Sequence, residues 1–299
     1  MSNLITYTHC PVCGSTAISN SITVTDYSVS NENFQLWDCA DCTLRFTQHV
    51  PDQQSIGRYY QSENYISHTD TNKGIINRLY HSVRKITLKQ KSSLIQSATG
   101  LNSGSLLDVG AGTGAFSAFM KSAGWRVTGL EPDEQARIVA NKNHGLSLLS
   151  TNHLFELPAE SFDAITMWHV LEHVHQLQTY IVQLRKLVKA GGKIFIAVPN
   201  YTSGDAEFYG KFWAAYDVPR HLYHFSPASM KQLLRHNELQ LDSIKPMWFD
   251  SFYVSMLSEK YKTGKEGFVS GVFRGFQSNL RAATNKSVCS SLIYVISKS

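Results

Sequence analysis

The run Leu106-Leu107-Asp108-Val109-Gly110-Ala111-Gly112-Thr113-Gly114 restricts this chain more than any other segment. It reads as a buried strand, Ser105 to Val109, that enters a glycine turn and then a helix from Gly114 to Ala123. Glycine is required there because the backbone must turn sharply and approach a ligand with no Cβ in the way. The segments that follow keep the same rhythm. Strands are expected at Arg126 to Leu130, Leu146 to Leu149, Asp163 to Met167 and Lys193 to Val198, with helices at Asp133 to Lys142 and Gln176 to Lys189. Two later strands are expected at Leu239 to Met247 and Cys289 to Ile296. Such alternation specifies an α/β fold, a mostly parallel sheet covered on both faces.

The 299 residues, 42% hydrophobic and 17% charged, suffice for one large core. A net charge of +5 is modest and the basic residues are scattered, so nucleic acid is not an expected partner. No stretch approaches the roughly 18 to 20 apolar residues of a membrane span, and Met1 to His9 lacks a basic start before an apolar run. A cytoplasmic protein with no membrane span is expected. Composition divides the chain into a cysteine-bearing module at 1–50, a helical linker and active-site cover at 51–100, and the α/β domain at 101–299. In the linker, a loop with Tyr59, Tyr60 and Tyr65 precedes a helix whose Ile75, Ile76, Leu79, Val83 and Ile86 recur at helical spacing as one buried stripe. Arg78, Arg84, Lys85, Lys89 and Lys91 are expected on its solvated face.

Gly110, Gly112 and Ala115 also fit the dinucleotide pattern G-x-G-x-x-G/A. Asp108 separates the alternatives, because a carboxylate just before the turn opposes an anionic pyrophosphate and suits a cationic ligand, directly or through water. S-adenosylmethionine carries an ammonium and a sulfonium and no phosphate. Glu131 ends the next strand, where an acid can accept both ribose hydroxyls, and Pro132 with Asp133 starts the helix that fixes that turn.

These landmarks, with Ser161-Phe-Asp-Ala-Ile-Thr-Met-Trp-His-Val-Leu-Glu-His173 and Gly191-Gly192-Lys193, resemble the class I S-adenosylmethionine-dependent methyltransferases from about Ser103 onward. The resemblance implies a Rossmann-like seven-stranded sheet whose last strand, Cys289 to Ile296, inserts antiparallel beside the sixth. It implies cofactor contacts from Asp108, Gly110, Ala111, Gly112, Gly114, Glu131 and Pro132. It also places the adenine near His153 to Phe155, with Leu154 at the centre, and sets Trp168 and His169 beneath the sulfonium. Glu172 and His173 are expected to brace the helix that follows.

Cys10 and Cys13, then Cys39 and Cys42, form two C-x-x-C pairs with the spacing of a four-cysteine zinc ribbon, while Cys289 stands apart. Zinc would supply folding energy that so small a segment lacks. Methyltransferases resembling this chain carry a similar ribbon. The expected activity is methyl transfer to an oxygen, carbon or nitrogen of a small metabolite or sugar. A cofactor-sensing zinc-ribbon adaptor and a nicotinamide-dependent oxidoreductase are the alternatives. The loop Tyr59 to Tyr65 and the insertion Asn200 to Phe225 are expected to shape the acceptor pocket. In Asp217-Val-Pro-Arg-His-Leu-Tyr-His-Phe225, His221 is the first candidate for proton acceptor, with His169 and His224 in reserve.

Overall fold

Alternating exposed and buried side chains make the N-terminal strands one-sided, and they need a partner surface. The computed structural model describes residues 3–60 and 75–299. It begins with β1 (Leu4–Ile5), β2 (Ile18–Thr25), β3 (Asn33–Cys39), β4 (Arg45–Thr47) and β5 (Val50–Pro51). β1 pairs with β5, and β2, β3 and β4 form an antiparallel sheet. Its free edge, β4, is covered by a strand from far along the chain, β10 (Tyr223–His224). The ribbon's Val12, Leu44, Phe46 and Val50 accordingly share one core with Leu222, Phe225 and the underside of the large sheet.

α1 (Ile75–Thr99) follows. The expected stripe through Ile75, Ile76 and Leu79, like Tyr65 and Arg78, lies outside the residues whose side chains are described. Ile86 is 46% exposed, against expectation, because the helix docks through its later turns. There Ile95 packs with Leu106, Phe116, Met120 and Trp125, and Leu88 joins them. Lys91 also departs from the expected solvated face, since its Nζ lies 4.2 Å from the centre of the Trp168 ring.

The large sheet comprises β6 (Ser105–Val109), β7 (Arg126–Leu130), β8 (Phe162–Trp168), β9 (Val188–Pro199), β11 (Leu239–Pro246) and β12 (Ser291–Lys298), in the order β11-β12-β9-β8-β6-β7. The four central and edge strands β9, β8, β6 and β7 run parallel. β12 inserts antiparallel between β9 and β11, as expected of the last strand. The strand expected at Leu146 to Leu149 is reduced to one parallel bridge, Leu130 to Leu149. Leu146 and Leu148 turn instead to seal the glycines: an added Cβ would lie 3.0 Å from Leu146 at Gly114 and 2.4 Å from Leu148 at Gly129.

α2 (Ala115–Ser122) and α1 cover one face. α4 (Leu177–Leu187) and α6 (Pro227–His236) cover the other through Ile181, Leu184, Met230 and Leu233. α3 (Glu134–His144) is capped by Asp133, whose carboxylate accepts from the Ala136 amide. The C-terminal hairpin of α7 (Asp250–Thr263) and α8 (Phe268–Thr284) packs on α5 (Gly204–Tyr209). Among the described residues, no helix is long and apolar enough to cross a membrane.

The insertion Asn200 to Phe225 is mostly core rather than open pocket. Its Tyr209, Trp213 and Tyr216 pack against Val24, Phe34, Leu36 and Tyr59. At its centre Arg220, 1% exposed, donates to Asp26 (3.0 Å), to both oxygens of Asp217, to the Tyr59 carbonyl (2.7 Å) and to Ser28. Burial works against the Asp26 charge, but the Ser30 amide and Arg220 outweigh it and hold the carboxyl below its ordinary pKa. Removing the guanidinium leaves a buried carboxylate with no counter-charge. Arg220→Ala should therefore lower the unfolding free energy by about 3–5 kcal/mol in urea titrations. A loss under about 1 kcal/mol would mean that the ribbon docks without this ion pair.

Candidate functional site

Parallel strands end on one edge, and the loops that leave them gather there. β6 ends in the glycine turn, β7 in Glu131 and β8 in Trp168 and His169. Gly110, Gly112 and Gly114 all have positive φ, at 73°, 55° and 79°. Their surroundings differ. An added Cβ at Gly110 would lie 2.3 Å from Val170 Cγ2 and at Gly114 2.9 Å from the Ala140 Cβ, whereas at Gly112 it would meet nothing within 4 Å. The first and third glycines therefore serve packing, and the second borders open space. The Gly110 and Ala111 amides both donate to the Leu130 carbonyl, which ties the turn to β7.

Glu131 meets the backbone of this second glycine. Its Oε2 accepts from the Gly112 amide (2.7 Å) and its Oε1 from the Asp133 amide (3.0 Å), which leaves lone pairs on both oxygens for further donors. Burial raises its pKa. Exposed Pro132 starts the following turn. Asp108 is deeper. Ser117 Oγ donates to its Oδ2 (2.6 Å) and Thr166 Oγ1 to its Oδ1 (2.8 Å), while burial pushes its pKa up. Lys91 approaches this acid from α1, and desolvation lowers its pKa to about 8. Neither the position of Lys91 nor that of Asp250, at the start of α7, was legible locally.

Trp168 is half-buried, stands edge-on to Phe116 and has no hydrogen-bond partner for its Nε1 among the described residues. Leu154, expected beside an adenine, is fully buried in the core, while Phe155 next to it is exposed and stacks edge-on with Tyr180. A cradle with an open glycine, carboxylate lone pairs and a second acid behind them suits a ligand with hydroxyl donors and positive charge.

The three candidate histidines have different surroundings. His169 sits at φ 58°, with Nε2 2.9 Å from Asp250 and Nδ1 3.3 Å from Glu172. Burial disfavours its charge, but the two carboxylates prevail and raise its pKa to about 10, so it is an imidazolium at neutral pH. His224 belongs to β10, where its Nε2 meets Thr47 Oγ1 (3.2 Å) and its ring stands edge-on to Tyr216. Desolvation keeps it neutral, with its pKa well below the ordinary value. His221 donates from Nδ1 to the Ala215 carbonyl (2.8 Å), and its ring meets that of His173 edge-on at 4.6 Å. His173 in turn donates from Nδ1 to the Arg220 carbonyl (3.1 Å), with Tyr60 Oη at the same distance. Burial lowers its pKa to about 4.

In the ribbon, Cys10, Cys13, Cys39 and Cys42 converge, with Sγ separations of 3.5 Å for Cys10 to Cys42 and for Cys13 to Cys39. Each pair sits on a tight turn, closed by Gly14 N–H to the Cys10 carbonyl and Thr43 N–H to the Cys39 carbonyl. Cys289 is buried elsewhere, beneath Met247.

A family profile described as a methyltransferase domain matches residues 83–244. The chain is 28% identical to a ubiquinone biosynthesis O-methyltransferase of Xanthomonas oryzae pv. oryzae, over 66% of this chain and 88% of that protein. It is 30% identical to the protein of the same name from Nitrosococcus oceani, over 54% and 72% of the two chains. In fold it is similar to magnesium protoporphyrin IX methyltransferase from Synechocystis PCC 6803, solved with bound SAH, at a TM-score of 0.54 and 14% identity over 83% of this chain and 100% of that one.

The contrast between the glycines is testable. Gly110→Ala and Gly112→Ala both force a side chain into the left-handed region, but only the first also collides with Val170. Gly110→Ala should be less stable than Gly112→Ala by about 1–3 kcal/mol in ligand-free urea unfolding. Equal stabilities would show that Val170 moves aside freely.

Proposed function

Because this chain belongs to the methyltransferase-domain family and is an S-adenosylmethionine-dependent enzyme of the class I fold, we propose that it methylates a hydroxyl oxygen of a small metabolite or sugar. The observation that carries this reading is that one sheet edge gathers both halves of such a site. Gly112, open on its Cβ side, donates its amide to Glu131, and the cluster of Glu172, His173 and His221 lies beyond the end of β8. The names of the relatives, O-methyltransferases, support oxygen as the atom methylated.

In this reading S-adenosylmethionine, when bound, supplies a methyl group activated on a sulfonium. The turn from Gly110 through Ala111 and Gly112 to Gly114 cradles it, and Glu131 accepts its ribose hydroxyls beside Pro132. Asp108 acts through water or through its two hydroxyl partners, since Ser117 and Thr166 enclose it. Trp168 and His169 form the floor, with Asp250 holding the His169 ring. His221 lies at the acceptor oxygen, where the proton is lost, while His224 keeps β10 on β4. In-line displacement asks the protein to align the oxygen with the methyl and to exclude water. Buried Asp108 behind the turn also disfavours the pyrophosphate of a nicotinamide cofactor.

Glu131→Ala should weaken S-adenosylmethionine binding by about 1.5–3 kcal/mol in calorimetry. His221→Ala should instead leave that affinity nearly intact and cut turnover by about 10² to 10⁴-fold. Unchanged cofactor affinity in the first variant, or a turnover loss below about tenfold in the second, would remove that residue from its role.

Cys10, Cys13, Cys39 and Cys42 are the ligands of one zinc ion in the same proposal. Sulfurs at about 2.3 Å from a tetrahedral centre stand about 3.8 Å apart, close to the spacing that these thiols hold without metal. A reducing cytoplasmic setting keeps them available. Four thiolates leave no open position, so this ion is structural. Metal analysis of Cys39→Ser should show that this zinc is lost together with ribbon stability, and stoichiometric zinc retained at the cysteines would refute the set.

A further inference from the structure

Glu172 carries an anomaly that methyl transfer alone does not require. Its side chain is fully buried, Oε1 accepts from His169 Nδ1, and Oε2 has no hydrogen-bond partner among the described residues. A buried carboxylate oxygen without a donor is costly, and such an atom calls for a missing partner. Two further imidazoles, those of His173 and His221, lie close to this carboxylate. One carboxylate oxygen of Glu172 and one ring nitrogen each of His173 and His221 all lie within 4.8 Å of one another.

We infer that Glu172, His173 and His221 form a divalent-cation site on the acceptor side of the enzyme, with coordination positions left open for acceptor oxygens. Two imidazoles and one carboxylate on one side of an ion are a set that leaves such positions, unlike the closed four-cysteine set. Ligand atoms about 2.1 Å from an ion stand within about 4.2 Å of one another, so the cluster needs only small side-chain rotations to close. Each ring is already oriented from behind. His221 donates Nδ1–H to the Ala215 carbonyl and His173 donates Nδ1–H to the Arg220 carbonyl, the kind of support that fixes the tautomer of a metal-binding histidine. The two rings are held edge-on by segments distant in sequence, so the triad exists only in the folded chain.

This inference deepens the reading of His221 given above. The imidazole serves as a ligand, and the ion holds the acceptor hydroxyl and favours loss of its proton to solvent. The acceptor class narrows to molecules whose methylated oxygen, alone or with a neighbouring oxygen, can ligate a divalent ion.

Cobalt(II) titration of the full chain distinguishes the two metal sites, since thiolate ligands give an intense charge-transfer band and nitrogen and oxygen ligands give only weak visible bands. Two equivalents per chain are expected, the second without a thiolate band. His221→Ala should weaken the second equivalent about 100-fold and leave the thiolate band in place. Glu172→Gln should do the same, and if it fails to fold the His221 variant and the wild-type stoichiometry still decide. Uptake of a single, thiolate-bound equivalent by the folded wild type overturns the inference. Removing the second ion with a chelator should lower methyl transfer at least tenfold. Full-rate transfer with metal only at the cysteines also overturns it and leaves the methyltransferase reading intact. An absence of transfer with both sites filled would count against that reading and not against the metal site.

Discussion

The buried guanidinium of Arg220 is the contact on which the rest of the arrangement depends. It reaches Asp26 and Ser28 in the ribbon, the Tyr59 carbonyl near the start of the linker and Asp217 in its own loop. Taking these charges out of water costs several kcal/mol, and the geometry offsets that cost only when every partner is in place. The interaction is therefore better understood as setting position than as adding stability. It specifies where three segments meet. Leu222 then donates to the Glu172 carbonyl (2.8 Å), and β10 adds to β4 directly afterwards.

One consequence is that the ribbon is not an appendage. Phe46, Leu44 and Val50 complete a core that also contains Leu107, Ile165 and Met230, so the N-terminal strands pack onto the sheet that carries the glycine turn. A segment this small cannot bury enough apolar surface alone, and it draws on two supports, the cysteine cluster at one end and the insertion at the other. The tyrosines and Trp213 of the insertion spend their area on this junction.

A second consequence is that similar side chains acquire different chemistry. His169 is charged between Asp250 and Glu172, His224 is neutral within a sheet, and His173 is neutral beneath Tyr60 and the Arg220 carbonyl. Nothing in the local sequence separates them. Desolvation penalises the charge at all three positions, and only a nearby carboxylate at hydrogen-bond distance reverses it.

The glycine turn, both acids and most strand positions were legible along the chain, because strand, tight turn and helix are local patterns written in apolar period and in residues that tolerate positive φ. The cysteine spacing was legible for the same reason, since each knuckle closes within a few residues. What the chain order could not reveal is which groups meet across it. Lys91 over Trp168, Asp250 on His169, Arg220 in the ribbon and Glu172 between two histidines join segments up to 194 positions apart. The weak third strand and exposed Ile86 were likewise decided by what packs against them. Period and spacing determine local geometry, whereas burial and charge pairing depend on distances that exist only once the chain has folded.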